Sequence, residues 1–285
     1  MNKKLFVALQ HVAPQHLISR LAGVIANCEW VWVKEPFIRW FSKRYQINMD
    51  EAATPELDAY PSFNQFFTRE LKAGARPIDD RTEALVSPAD GVVSQCGPIK
   101  AGTLVQAKGR SFTVQQLLAC DADQAAKYAD GQFATIYLSP SDYHRVHMPC
   151  DGTLKSMTYV PGKLFSVNQA TAEGVPGLFA RNERVVATFD TPWGELSMVL
   201  VGAMVVASIE TVWAGVVAPL RRQVMATQYG DQPAITLKKG DEMGRFKLGS
   251  TVVLVSDNPH WMWDAEQELG EKVQMGSVLA LLEQF

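Results

Sequence analysis

The sequence predicts an α+β protein: a mainly antiparallel β-sandwich core preceded by N-terminal amphipathic helices. Three observations carry this expectation. From about residue 76 onward the chain is a succession of short apolar runs separated by glycine and proline, the texture of a β-rich fold. It has no regular strand-helix alternation and no Gly-x-Gly-x-x-Gly loop, which argues against a doubly wound parallel sheet. The first 48 or so residues instead set apolar groups at helical spacing.

A chain of 285 residues can bury a large core, and its formal charge of only -3 offers no basic field for nucleic acid. Four cysteines, Cys28, Cys96, Cys120 and Cys150, are scattered without a Cys-x-x-Cys pair, so free thiols are expected. The start, Met1-Asn2-Lys3-Lys4-Leu5-Phe6-Val7, superficially resembles a signal sequence, but Gln10, His11 and Pro14 interrupt the apolar run. No stretch approaches the ~20 apolar residues of a membrane-spanning helix.

The helices come first. Leu5, Leu9 and Val12, then Leu17, Leu21, Val24 and Cys28, then Phe37, Trp40 and Phe41 follow helical spacing, with breaks expected near Pro14 and Pro36. Through Tyr45 the cations Lys3, Lys4, Arg20, Lys34, Arg39, Lys43 and Arg44 face only Glu29 and Glu35, while Trp30, Trp32 and Trp40 add amphipathic rings. Helices lying in a membrane interface need that combination, with Lys34, Arg39, Lys43, Arg44, Trp30 and Trp40 as the contact residues. A helical cap packed on the protein's own core fits the same pattern. Pro61-Ser62-Phe63-Asn64-Gln65-Phe66-Phe67-Thr68-Arg69 predicts one more helix, capped by Ser62, with its phenylalanines inward. The expected division is therefore a helical membrane-facing cap over residues 1–75 and a β-rich domain over 76–285, which holds the groups able to do chemistry.

Within the second part, Pro88-Ala89-Asp90-Gly91 and Pro149-Cys150-Asp151-Gly152 echo each other, each a turn before an apolar strand. Val252-Val253-Leu254-Val255 reads as a buried strand, and the polar junction Lys247-Leu248-Gly249-Ser250-Thr251 runs straight into it. A serine preceded by glycine is open to close approach. Its hydroxyl can attack the Gly249 carbonyl if a base takes the proton and donors hold the oxyanion.

Bases are available. Two of the five histidines sit in Ser139-Pro140-Ser141-Asp142-Tyr143-His144-Arg145-Val146-His147, where Ser139 as cap and Pro140 after it predict a short helical turn with both rings on one face. No His-Glu-x-x-His motif or cysteine cluster completes a metal site, so no metal is expected. Imidazole titrates near neutrality and suits proton transfer. Asp90 can bond its own turn or orient a histidine, and Asp90, His147 and Ser250 would form an Asp, His, Ser constellation in that chain order.

Together, Pro88-Ala89-Asp90-Gly91, Tyr143-His144-Arg145-Val146-His147, Phe179-Ala180-Arg181-Asn182-Glu183-Arg184, Val201-Gly202-Ala203, Glu210-Thr211-Val212-Trp213-Ala214-Gly215 and Gly244-Arg245-Phe246-Lys247-Leu248-Gly249-Ser250-Thr251 closely resemble the bacterial phosphatidylserine decarboxylases. The resemblance spans nearly the whole chain. It implies self-cleavage between Gly249 and Ser250, driven by Asp90, His147 and Ser250, into a large β chain and a small α chain held as a heterodimer, with a dimer of heterodimers left open. It implies that Ser250 becomes a pyruvoyl cofactor whose ketone forms a Schiff base with the amine of phosphatidylserine and accepts the electron pair left by carbon dioxide. It further implies His144 as the candidate for returning a proton or binding the carboxylate, an anionic membrane surface as partner, and a peripheral position on the cytoplasmic face of the cell membrane. An autoproteolytic serine hydrolase using the same trio would instead keep its serine, although no Gly-x-Ser-x-Gly elbow is present. A non-enzymatic membrane-associated carrier would need an attachment lysine in a tight hairpin, and no convincing one occurs.

Overall fold

The computed structural model describes residues 3–107, 109–204, 208–218, 223–230, 233–247, 250–263 and 269–283. Its architecture is α+β, with helices first and antiparallel sheets after.

The Ser250–Ser256 strand is the centre of the largest sheet. It pairs antiparallel with Gln132–Leu138 on one side and Gly194–Val201 on the other, and all seven of its residues are buried. Because strand side chains alternate between faces, Val252 and Leu254 enter one core while Val253 and Val255 enter a second. This explains an unbroken apolar run: the strand has no solvent face. On the first face, residues such as Val146, Ile209, Met243 and Phe246 come from a four-stranded sheet packed against the large one, which completes the sandwich. On the second face, the helices Val114–Leu118 and Leu178–Arg181 close the core with Leu117, Leu118, Leu178 and Phe179.

The two Asp-Gly turns open corresponding strands. Gly91–Pro98 and Gly152–Val160 each lie second from an edge of the large sheet, at opposite ends of it. A Cβ on Gly91 would sit 2.5 Å from the Tyr137 carbonyl oxygen, so only glycine lets these backbones approach.

The helical part is α1 (Lys3–Val12), α2 (Gln15–Ala26), α3 (Val31–Tyr45) and α4 (Phe63–Phe67). Pro14 separates α1 from α2 as expected, but Pro36 does not break the chain and lies inside α3. Both Pro36 and Trp32, whose carbonyl loses its helical donor there, are exposed, so water can meet the freed carbonyl. Ser62 caps α4 through Gln65 N at 3.4 Å, and Phe63, Phe66 and Phe67 are buried against Phe41, Ile38 and Tyr60 in a core separate from the other two.

The packing of α1 and α2 inverts the usual order. The buried face of α2 is Gln15, Ser19, Gly23 and Ala26, whereas Leu17, Leu21, Val24 and Ile25 are exposed. Amides stitch these helices to the β-rich part: Gln15 Oε1 accepts from Leu164 N at 2.7 Å, and Gln10 Oε1 from Ser166 N at 2.8 Å. Of the two readings open in the sequence, a cap that buries its own apolar stripe does not describe α2. Among the described residues, no helix is long and apolar enough to cross a membrane. All four cysteines are free.

Candidate active site

Ser250 opens the central strand opposite Leu138, is fully buried, and its Oγ has no hydrogen-bond partner among the described residues. A buried hydroxyl without a partner forgoes a bond worth about 1 kcal/mol and bears a desolvation cost, so such an atom calls for a functional account. Leu248 and Gly249, the other side of the expected cleavage site, lie outside the described residues.

The segment from Ser139 departs from the sequence expectation. It forms a tight turn, not a helical one, because the Asp142 carboxylate accepts from Ser139 N at 2.7 Å while Asp142 N returns to Ser139 O. The chain then straightens into the Arg145–His147 strand, so the two histidines share no helix face. His144 packs its ring on Phe67, with 4.0 Å between centroids, and His147 packs on Tyr143. Ser250 pairs with Leu138 just before this turn, and Phe246 N donates to His144 O at 3.0 Å, so the backbone on both sides of position 250 leads to His144.

Both imidazoles have assignable tautomers, because a carbonyl can only accept. His144 Nδ1 donates to Asp142 O at 2.8 Å, leaving its Nε2 as a lone pair that is buried and unpartnered. Complete burial pushes its pKa down to about 3, so the ring stays neutral. His147 Nδ1 donates to Gly240 O at 2.7 Å, and its Nε2 accepts the Tyr143 hydroxyl at 3.0 Å. Burial also lowers the His147 pKa, opposed by the Gly240 carbonyl and by the charges of Glu242 and Asp90. Each ring is therefore a neutral base with Nε2 as the proton-accepting atom.

Asp90 is brought to His147 through the backbone, since His147 N donates to Pro88 O at 2.8 Å. Its carboxylate is occupied elsewhere. Arg76 grips it with Nε at 2.9 Å and Nη2 at 2.6 Å, and Met275 N donates to Oδ1 at 2.8 Å. Asp90 thus acts on His147 through its charge and through the shared turn, and among the described residues no hydrogen bond joins Asp90, His147 and Ser250 in series. Sequence reasoning missed Arg76 and Tyr143 as partners of this group. Tyr143 precedes His147 by four residues, but nothing in the sequence brings Arg76 to Asp90.

Of the expected membrane contacts, Trp30 and Trp40 are exposed at 68% and 56%, and Trp32 beside them at 81%. Lys43 and Arg44 are exposed, and Arg39 reaches Glu35 only at 3.4 Å. Lys34 corrects the expectation. It is buried, with Nζ donating to Tyr60 O at 2.6 Å and Asp58 O at 3.3 Å, because helical periodicity puts it on the same inner face as Ile38 and Phe41.

A family model described as Phosphatidylserine decarboxylase matches residues 63–281, and a second, described as PSD, matches residues 5–46. A phosphatidylserine decarboxylase proenzyme of Pseudomonas putida (strain GB-1) is 55% identical over 282 residues, covering 98% of both chains. The proenzymes of the same description from Ectopseudomonas mendocina (strain ymp) and Pseudomonas fluorescens (strain Pf0-1) are each 54% identical, covering 98% of this chain and 98% and 99% of their own. The matched range spans the β-rich part that holds Asp90, both histidines and Ser250, and with relatives this similar over nearly its full length the chain belongs to the phosphatidylserine decarboxylase family.

Proposed function

We propose that this chain is a proenzyme that cuts itself before Ser250, converts that serine to a pyruvoyl group, and then decarboxylates phosphatidylserine to phosphatidylethanolamine. The observation that carries the reading is the buried, unpartnered Ser250 hydroxyl at the head of the central strand in a member of this family. Cleavage begins when the Ser250 O–H gives up its proton and Oγ attacks the Gly249 carbonyl carbon. A C–O bond forms, the C–N bond breaks, and the freed amine keeps the proton. His147, neutral and fixed in tautomer by Gly240, is assigned as the base once Tyr143 yields its Nε2. Asp90 supports the charge His147 then carries and holds its turn. Removal of the Ser250 α-proton expels the ester carboxylate from Cβ, and hydrolysis of the resulting dehydroalanine releases ammonia.

The group fits its site. It is no larger than the serine from which it is made, and Leu138, opposite it, is fully buried. When present, a pyruvoyl group supplies an electron sink for the bond pair left behind by carbon dioxide. His144 is then assigned the remaining proton work: its Nε2 lone pair, without a partner among the described residues, can take a proton transiently on its way to the substrate α-carbon, the ring returning to the neutral form that burial favours. The outward Leu17, Leu21, Val24 and Ile25, the tryptophans, and Arg39, Lys43 and Arg44 support peripheral attachment to an anionic membrane on the cytoplasmic face, where a diacyl substrate would be met. Cleavage would leave the two chains joined by the antiparallel pairs that flank Ser250–Ser256.

The test is to incubate purified protein with phosphatidylserine vesicles, with and without a hydroxylamine-type carbonyl reagent. Formation of phosphatidylethanolamine that the reagent abolishes is expected. Activity indifferent to the reagent, or ester hydrolysis in place of decarboxylation, would refute the pyruvoyl reading.

A further inference from the structure

Between the helical part and the four-stranded sheet lies a cavity of about 610 Å³ whose wall includes Asn64, Thr68, Arg69, Arg145, Arg245 and Lys247. Three of its four cations have carboxylate partners: Arg145 and Arg245 share Glu242 at 2.9 and 2.7 Å, and Lys247 meets Glu210 at 3.1 Å. Arg69 is the exception. It is only 5% exposed, its Nε has no hydrogen-bond partner among the described residues, its Nη2 makes a long 3.4 Å bond to Ser141 O, and its guanidinium lies over the Phe66 ring. Burying a guanidinium without a paired anion is costly. Burial accordingly lowers its pKa. Asn64 Oδ1 in the same wall is also buried and without a partner among the described residues.

We propose that Arg69 is the anion anchor of the substrate site, its guanidinium binding the phosphodiester of the lipid headgroup in this cavity. The assignment rests on the decarboxylase reading and adds the residue that positions the substrate. Position favours it. Arg69 lies two residues after Phe67, which packs on His144, and its charge is felt at the His144 ring. In phosphatidylserine only an oxygen and a methylene separate phosphorus from the reacting α-carbon, so a phosphate on Arg69 brings the amine and carboxylate toward His144. The cavity wall also includes Asn27 and Glu29, the latter immediately before exposed Trp30, which points to a headgroup descending from a membrane surface and not to free phosphate. The carboxylate is the poorer ligand. Its charge disappears in the reaction, so pairing it with arginine would stabilise the ground state against the transition state, whereas the phosphodiester charge persists throughout.

Two arms test this. In full-length Ser250→Ala protein, which cannot form the ketone, calorimetry should detect glycerophosphoethanolamine binding that Arg69→Gln weakens at least ten-fold and Arg69→Lys weakens less. In otherwise native protein, Arg69→Gln should still cleave itself but raise KM for phosphatidylserine in mixed micelles at least ten-fold, with kcat within about three-fold. Equal glycerophosphoethanolamine binding by Arg69 and Arg69→Gln proteins, equally tight binding of inorganic phosphate, or a loss confined to kcat would overturn the assignment. If Arg69→Gln fails to fold, as read by melting, the same comparisons are made with Arg69→Lys. The binding arm needs no turnover, so failure of the wild type to decarboxylate would count against the functional reading alone.

Discussion

Lys34 and the trio Arg39, Lys43 and Arg44 are all cations of α3, yet the structure assigns them opposite behaviour. Lys34→Met removes a buried ammonium that donates to the Tyr60 and Asp58 carbonyls and leaves the Tyr60 oxygen without that donor. A hydrogen bond from a charged group is worth about 1.5–3 kcal/mol, so two unequal bonds place the loss near ~3 kcal/mol. At about 2–4 °C per kcal/mol for a chain somewhat smaller than this, the melting temperature should fall by roughly 6–12 °C. Vesicle binding by the folded protein should be unchanged. Arg39→Gln, Lys43→Gln and Arg44→Gln together should do the reverse. Among the described residues the one ion pair these three cations make, Arg39 with Glu35, is 3.4 Å long and largely exposed, worth at most about 1 kcal/mol. Each cation near an anionic surface contributes about 1 kcal/mol, so loss of the three should weaken partitioning to phosphatidylserine-containing vesicles by about 100-fold at low salt. Co-sedimentation at low and high salt, beside thermal melts, measures both. If Lys34→Met melts normally but loses vesicle binding, or if the triple variant binds as the wild type does, the assignment of these two faces is wrong.

Ser250→Ala, Asp90→Asn and His147→Ala should each remain one full-length chain on a denaturing gel, and wild-type cleavage speed in the His147 variant would remove it from the mechanism. His144→Ala should cleave itself yet lose most decarboxylation; a variant that both matures and turns over normally would refute that role. The neutral burial of His144 also makes stability depend on pH. Its folded pKa lies at about 3, below an ordinary imidazole, so the unfolded chain binds more protons between those values and stability falls as pH drops below about 6.5. The slope from this group approaches ~1.4 kcal/mol per pH unit, or about 2 kcal/mol between pH 6.5 and 5. Urea unfolding of His144→Gln at these two pH values should show that much less acid sensitivity than the wild type, and an identical pH dependence would contradict the burial.

Much of the fold was legible in the sequence because it comes from periodicity and capping. The Val252–Val255 run read as a buried strand, which it is, Ser62 announced the start of α4, and the paired Asp-Gly turns marked two strand openings. Legibility failed where tertiary contacts overrode local preference. Ser139-Pro140 carries a helix-start signal, but Asp142 closes it as a turn, and pairing with the Glu242–Lys247 strand draws Arg145–His147 out straight. Lys34 looked like one more surface cation until Tyr60 and Asp58 supplied carbonyls to hold it. Asn182 and Arg184 could be quoted only as part of a family motif. Their work is structural: Asn182 Nδ2 bonds the Phe165 and Gly202 carbonyls, and the Arg184 guanidinium holds the Leu117, Ala180 and Gln116 carbonyls. Arg69 and its unpaired charge depend on which carboxylates lie within reach, and no sequence pattern encodes that distance.

The central claim is that the chain makes its own ketone at position 250, and intact mass spectrometry of the purified protein tests it most directly. Two fragments are predicted, one ending at Gly249 and one covering residues 250–285, the smaller lighter than a serine-initiated peptide by the mass of ammonia and blocked to N-terminal sequencing. A single full-length mass after prolonged incubation, or a small fragment that begins with a free serine amine, would contradict it.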